Sequence, residues 1–142
     1  MNPLKKIVVF AEFAGAYLWE KQADDLTTRP GGNIGDAQCG IPAEYSVSSS
    51  LEADFRKWIV KWENTVSPRV EYEEIAPKSF WDEIHEEGVA LARRLKAEVG
   101  DRFEVEYHPP WEDPERGGRD GLLTRIPSDG SLQTYQPIAS KP

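Results

Sequence analysis

Residues 79–108, SFWDEIHEEGVALARRLKAEVGDRFEVEYH, decide the fold. They read as a capped amphipathic helix, a one-turn stop and a strand. Ser79 followed by Asp82 predicts a capping-box start, in which the hydroxyl accepts from an otherwise orphaned backbone N–H. Steps of about 100° per residue place Phe80, Ile84, Leu91 and Leu95 on one stripe, flanked by Trp81, Ala92 and Val99. Arg93, Arg94 and Lys96 crowd the carbonyl end, where cations suit the helix dipole. Gly100 stops the helix and Asp101-Arg102 turn the chain. Phe103, Val105 and Tyr107 then alternate with Glu104 and Glu106, the period of a half-buried strand, until Pro109-Pro110 ends it.

Upstream, Leu51, Phe55, Trp58, Ile59, Trp62 and Val66 form a second apolar stripe. Ser49 or Ser50 starts this helix and Ser67-Pro68 is expected to stop it, with Val70–Ile75 a short extended piece. The chain opens with Ile7-Val8-Val9-Phe10, a β-branched and aromatic run suited to a strand covered on both faces. Ala14–Glu20 reads equally as a short helix or as further extended chain. Residues 21–50 contain RPGGNIGDAQCGIP and form a long Gly/Pro-rich loop or insertion, with room for a small hairpin. Downstream, Leu122–Ile126 and Ser131–Tyr135 flank Pro-Ser-Asp-Gly, a hairpin signal. Residues 1–136 read as one globular domain and 137–142 as a loose tail.

The order strand, loop, helix, helix, strand, hairpin defines a small α/β (or α+β) fold. Two strands joined through helices run parallel by a right-handed crossover, and the two apolar stripes supply their cover. The segments leaving the C-terminal ends of both strands then share one edge, where open parallel sheets hold their ligands. That edge is expected to carry Glu12, Tyr17, Trp19, Glu20, Asp24 and Asp25 from one segment and Trp111, Glu112 and Asp113 from the other.

The chain has 142 residues, and a net charge of −8 disfavours nucleic acid as a direct ligand, because phosphates are met by Lys and Arg. The same charge disfavours an anionic membrane surface and favours a basic protein partner. A lone cysteine, Cys39, provides no internal disulfide and suits a reducing compartment. The opening MNPLKKIVVFAEF has a short apolar run that contains Glu12 and lacks a cleavage site, so it reads as a strand in a cytoplasmic protein.

Chemical motifs are sparse. Asp82, His85 and Glu86 neighbour one another on a helix, but they form one copy of a motif that di-metal sites use twice, and a solvated helix start explains them. Cys39 has no histidine in its local context and reads as a plain thiol. GGNIGD lacks the Gly-Lys-Ser/Thr of a phosphate loop. No metal and no cofactor is therefore expected. Trp58 and Trp62 belong to a core stripe, whereas Trp111, in an acidic proline-rich loop, either caps the core or stands out as an interface anchor. Seven carboxylates lie between residues 71 and 87 (71, 73, 74, 82, 83, 86, 87) against Lys78 alone, an excess that a basic partner would balance. Glu104 and Glu106 in turn require a solvent face or a basic neighbour.

IVVFAEF with the following Leu18-Trp19, and later EGVALARRLKAEVGDRFEVEYH, resemble segments of small bacterial immunity proteins encoded beside polymorphic toxins, both contact-dependent and secretion-delivered. The likeness covers residues 7–19 and 87–108, which are fold-forming and carry no catalytic signature. The Gly-rich loop and C-terminal hairpin depart from that pattern. The resemblance implies a cytoplasmic, non-enzymatic protein that binds one cognate toxin and blocks its active site. For this chain the toxin would be basic, a nuclease for example, met by the edge residues named above. The alternative is a small enzyme or ligand-binding domain using the same strand-end cleft, with Glu12 as base and Cys39 or His108 assisting.

Overall fold

The structure is a computed structural model and describes residues 4–117 and 121–138. Six strands form one mixed sheet: β1 (Lys5–Glu12), β2 (Ala16–Gln22), β3 (Gly32–Asp36), β4 (Glu104–Tyr107), β5 (Leu123–Arg125) and β6 (Gln133–Tyr135), in the order β3-β2-β1-β4-β5-β6. Helices α1 (Ser49–Glu71) and α2 (Lys78–Val99) lie between β3 and β4 in the chain. The fold is thus α/β, with the expected parallel pair at its centre: β1 and β4 run parallel in the register Ile7–Val105 and Val9–Tyr107. The other pairings are antiparallel, including the expected C-terminal hairpin β5–β6.

The helices cover one face. Ile7, Val9 and Ala11 of β1 join Val105 and Tyr107 of β4 in a core filled by Phe55, Trp58, Ile59 and Trp62 of α1 and Ile84, Leu91, Ala92 and Leu95 of α2. Both stripes read from periodicity are the buried faces, except that Phe80 at the start of α2 is only half-buried. Closest approach comes at Gly88, where an added Cβ would lie 2.3 Å from the Tyr107 ring and 3.0 Å from Trp58. At this position glycine admits the ring, despite its cost in a helix.

The helix ends differ from expectation in two places. Helix α2 begins at Lys78 behind Pro77, whose carbonyl accepts from the N–H of Phe80 at 3.0 Å. Ser79 therefore lies inside the first turn and is not the cap, and Asp82 is left to pair with Lys78 and Arg116. Helix α1 starts where expected, capped by Ser48, but continues through Pro68 to Glu71. A proline there forfeits one bond in the last turn, beyond the final core contact at Val66, so little is lost. Val70 and Glu71 accordingly end a helix and do not form an extended piece.

The opposite face of the sheet holds charge. Glu106, aligned with Val8, is 1% exposed, and Lys6 is fully buried. The Lys6 ammonium donates to Glu106 at 2.9 Å, the Tyr135 hydroxyl donates to the same carboxylate at 2.6 Å, and His108 Nε2 lies 3.1 Å from it. Glu106 thus finds its basic neighbour within its own chain. Burial pushes its carboxyl up, but the bonds from His108, Tyr135 and Lys6 prevail and hold it at about 2. The chain after β2 returns on this face: Lys21 donates to the carbonyls of Thr27 and Arg29, and Ile138 N–H donates to Leu26. Ile138 is thereby tied to the segment that follows β2; residues 139–142 of the expected tail lie outside the described residues.

Removing one member of the Lys6–Glu106 pair would strand a buried charge, whereas replacing both removes the demand. Glu106→Gln is expected to cost about 3–5 kcal/mol, and Lys6→Met/Glu106→Leu to recover most of it. Urea denaturation checks both; equal losses in the single and double variants would show that the pair does not act as a unit.

Candidate functional site

The parallel pairing collects three loops at one end of the molecule. Strands β1 and β4 both finish there, into the β1–β2 turn and the 109–117 loop. Helix α2 feeds β4 through Gly100–Arg102, so its N-terminus and the α1–α2 turn lie at that end too. Contacts across the loops agree with this placement. Ala14 N–H donates to Glu63 of α1 at 3.3 Å, the Phe13 and Trp62 rings are 5.0 Å apart, and Arg116 reaches Asp82 at 2.8 Å.

Not every residue expected at this edge is present there. Trp19 and Trp111 do converge, on Phe10: its ring centroid is 6.1 Å from Trp19 and 5.7 Å from Trp111, and its carbonyl accepts the Trp19 indole N–H at 2.9 Å, while Glu12 ends β1 and Glu112 follows Trp111 at the same end. Trp111 is 49% exposed, so it is not a core cap. Burial pushes the Glu112 carboxyl up, and the charge of Glu12 adds to the rise.

The other members go elsewhere because Ala14 and Gly15, both at positive φ, fold β2 back antiparallel to β1. Asp24 and Asp25 are carried to the opposite end, where Asp25 accepts from Thr27 and pairs with Lys21. Glu20 sits partway along β2, bound by Lys5 at 3.0 Å and by the Tyr45 hydroxyl. Tyr17 is fully buried and stacks on Phe55 at 5.1 Å, because register shifts on either side of it turn the ring toward the helices.

Asp113 is buried for a structural purpose. It accepts from His85 Nε2 at 2.5 Å, while His85 Nδ1 lies 2.7 Å from the Tyr107 hydroxyl. Burial lowers the His85 pKa more than Asp113 raises it, so the ring is neutral. Nε2–H therefore donates to Asp113, and Tyr107, whose pKa burial raises, donates to Nδ1. Asp113 also accepts from the N–H groups of Glu115 and Arg116, which shapes the turn that follows Trp111 and Glu112. The network clamps the 109–117 loop onto α2.

The same His85 borders a cleft of about 410 Å³ between α2 and the β5–β6 hairpin, lined also by Val89, Tyr107, Arg116, Leu122, Thr124 and Thr134. With both ring nitrogens already bonded within the protein, His85 has none to offer a substrate. The alternative trio is dispersed: Cys39 is exposed in the turn after β3, and His108 is buried against Glu106 beneath the sheet.

Periodicity had not marked the α1–α2 turn. Val70, Tyr72 and Ile75 are 53%, 71% and 66% exposed, interleaved with exposed Glu71, Glu73 and Glu74. The signal was visible as the carboxylate run from residue 71, but the apolar members fell outside both helical stripes. Of the nearby cations, Lys78 binds Asp82 at 2.9 Å, Arg116 binds Asp82 and lies near Asp113, and Arg69 donates to the Thr65 carbonyl. The end thus combines three exposed apolar side chains, a half-exposed Trp and a surplus of carboxylates.

No protein-family model, no curated protein and no solved structure matches the chain. Among the described residues, no helix is long and apolar enough to cross a membrane.

The neutral buried histidines predict acid sensitivity with a defined sign. Burial lowers the pKa of both His85 and His108, so the folded state binds fewer protons than the unfolded chain. Their contribution is complete above the ordinary histidine value of 6.5 and is lost as pH falls through the lowered values. Unfolding free energy measured in urea is expected to fall as pH drops below the ordinary histidine value of 6.5. The slope should diminish in His85→Gln and again in His85→Gln/His108→Gln; a wild-type stability flat below that value would mean the rings are not buried neutral.

Proposed function

We propose that this protein is a binding protein of the immunity type, which occludes a basic toxin domain with the end of the sheet where β1 and β4 finish. One observation carries the reading: the end of the sheet that presents exposed Trp111, Tyr72 and Ile75 also presents Glu12, Glu71, Glu73, Glu74 and Glu112, while Lys78 and Arg116 at that end are paired with Asp82 within the chain. Apolar anchors within an acidic rim suit a cationic partner surface, because desolvated aromatics supply affinity and complementary fields supply rate and selectivity. A toxin of the nuclease kind fits this chemistry, since cations arranged for phosphates would meet carboxylates in their place. The likeness of residues 7–19 and 87–108 to immunity proteins points the same way.

The preorganised loop adds weight. The His85–Asp113 clamp fixes the segment bearing Trp111 and Glu112 before any partner arrives, which reduces the ordering cost of association. A protein that works by occlusion needs a fixed face, and it needs no free acid or base.

The test is capture of a partner from the source cell at low salt, followed by association kinetics with the purified partner. Glu12→Lys/Glu112→Lys is expected to lower the association rate at least tenfold at low salt and to weaken its salt dependence. Asp24→Lys/Asp101→Lys, at the opposite end, should leave it near wild type. Equal effects of the two pairs would place the interface elsewhere, and a captured partner without basic character would remove the toxin reading.

A further inference from the structure

The sheet ends in two outer strands that are protected very differently. At one side, β3 is guarded. Asp36 pairs with Ala16 of β2 and also with Gly40, whose N–H donates to the Asp36 carbonyl at 2.8 Å, and the register of β3 with β2 is broken by shifts. Charge, irregular register and a covering turn are the usual means of blunting an edge.

At the other side, β6 is short but has none of these devices. It contains no charge and no proline, and its register with β5 runs unbroken through Leu123–Tyr135, Thr124–Thr134 and Arg125–Gln133. Gln133 and Thr134 point to opposite faces, as successive strand residues do, and both are exposed. Among the described residues, then, β6 is covered on neither face and is paired on one side only. Leu132, just before the strand, is 44% exposed. The strand is nonetheless firmly held, since the Tyr135 hydroxyl donates to Glu106 at 2.6 Å and the Arg125 guanidinium lies 4.5 Å over the same ring.

Charge selects what can meet this edge. Residues 130–140, GSLQTYQPIAS, are the longest run in the chain without a charged side chain, in a protein where charged residues make up 30%. With a net charge of −8, two copies repel each other across most of their surfaces, and this segment is where they do not.

We propose that β6 is an interface between two copies of this chain, its outer edge pairing antiparallel with the same strand of the second copy about a two-fold axis near Thr134. A strand edge presents N–H and C=O groups in alternation, so it complements itself, and the two-fold closes the assembly at a dimer. With the axis at Thr134, Ser131 lies opposite Pro137 of the second copy, so the turn at Gly130 and the proline both fall at the ends of the paired segment. Thr134 then faces its own copy, a favourable cross-strand pair. The inference is independent of the reading of the acidic end.

Sedimentation velocity on the intact protein from about 10 μM to about 1 mM tests it. A monomer–dimer equilibrium is expected, with amide exchange of residues 132–136 slowing as concentration rises. Thr134→Lys, at an exposed position, sets two cations face to face and is expected to weaken the dimer roughly tenfold or more, whereas Val60→Lys, on the exposed side of α1, should leave it unchanged. In a Cys39→Ser background, Thr134→Cys is expected to yield a disulfide-linked dimer on mild oxidation. A monomer throughout the range, or a dimer as tight in Thr134→Lys, would overturn the proposal. So would exchange in residues 132–136 that is equally slow at the lowest concentration, which would mean that the edge is already covered within one copy. Protection of these residues only on adding the captured partner would assign the edge to a strand of that partner instead.

Discussion

The pairing of β1 with β4 is the constraint on which the rest of the molecule depends. These strands lie side by side and parallel, yet more than ninety residues separate them in the chain. A parallel pair cannot close through a tight turn, so the intervening chain must cross over, and here it does so with two packed helices. The pair is secured on both faces by different physics. On the helix face, Ile7, Val9, Val105 and Tyr107 bury against α1 and α2. On the other, Lys6 and Glu106 meet across the same two strands with Tyr135 and His108. A buried ion pair of this kind contributes little net stability compared with apolar residues, but breaking half of it is costly, so it disfavours a slipped register.

The same constraint builds the candidate site. Because the strands are parallel, both end at one edge, and because α2 must return to the start of β4, its own beginning lies over that edge as well. The proposed binding end is therefore assembled from three loops distant in sequence, each held by a contact made elsewhere: Ala14 to Glu63, Asp113 to His85, and Arg116 to Asp82. Side chains consumed in this positioning, such as His85 and Asp113, are buried and unavailable. Those left over, Trp111, Tyr72, Ile75, Glu12 and Glu112, are the ones free to meet a partner.

Much of the fold was legible because its strongest signals are periodic. The apolar stripes of α1 and α2, the stop at Gly100, the alternation in β4 and the Asp-Gly hairpin are local patterns that burial enforces directly. The misreadings involve interactions that are not local. Nothing in Phe13-Ala14-Gly15 announces a turn strongly, since Ala14 adopts a positive φ that alanine rarely takes. That unmarked turn separates Asp24 and Asp25 from Glu12, and the irregular register around Tyr17 buries a ring that looked like an anchor. For Glu106 the choice between a solvent face and a basic neighbour stayed open in the sequence, because its partner Lys6 is 100 residues away. Ser79 has the spacing of a cap, but Pro77 starts the helix first. In the site itself, the acidic and aromatic character of the 109–113 loop was readable from composition, whereas its convergence with Phe10 and Trp19, and the apolar tip at Tyr72 and Ile75, depend on the crossover.

The central claim is that one end of this sheet is the working face of the protein. Hydrogen exchange of the free protein and of its complex with the captured partner tests it most directly, because the method reports every loop at once without altering a residue. Slowed exchange is predicted in residues 12–15, 71–76 and 111–113, with no change in residues 22–31 or 100–104 at the far end. Protection confined to the far end, or to the outer strands β3 and β6, would contradict it.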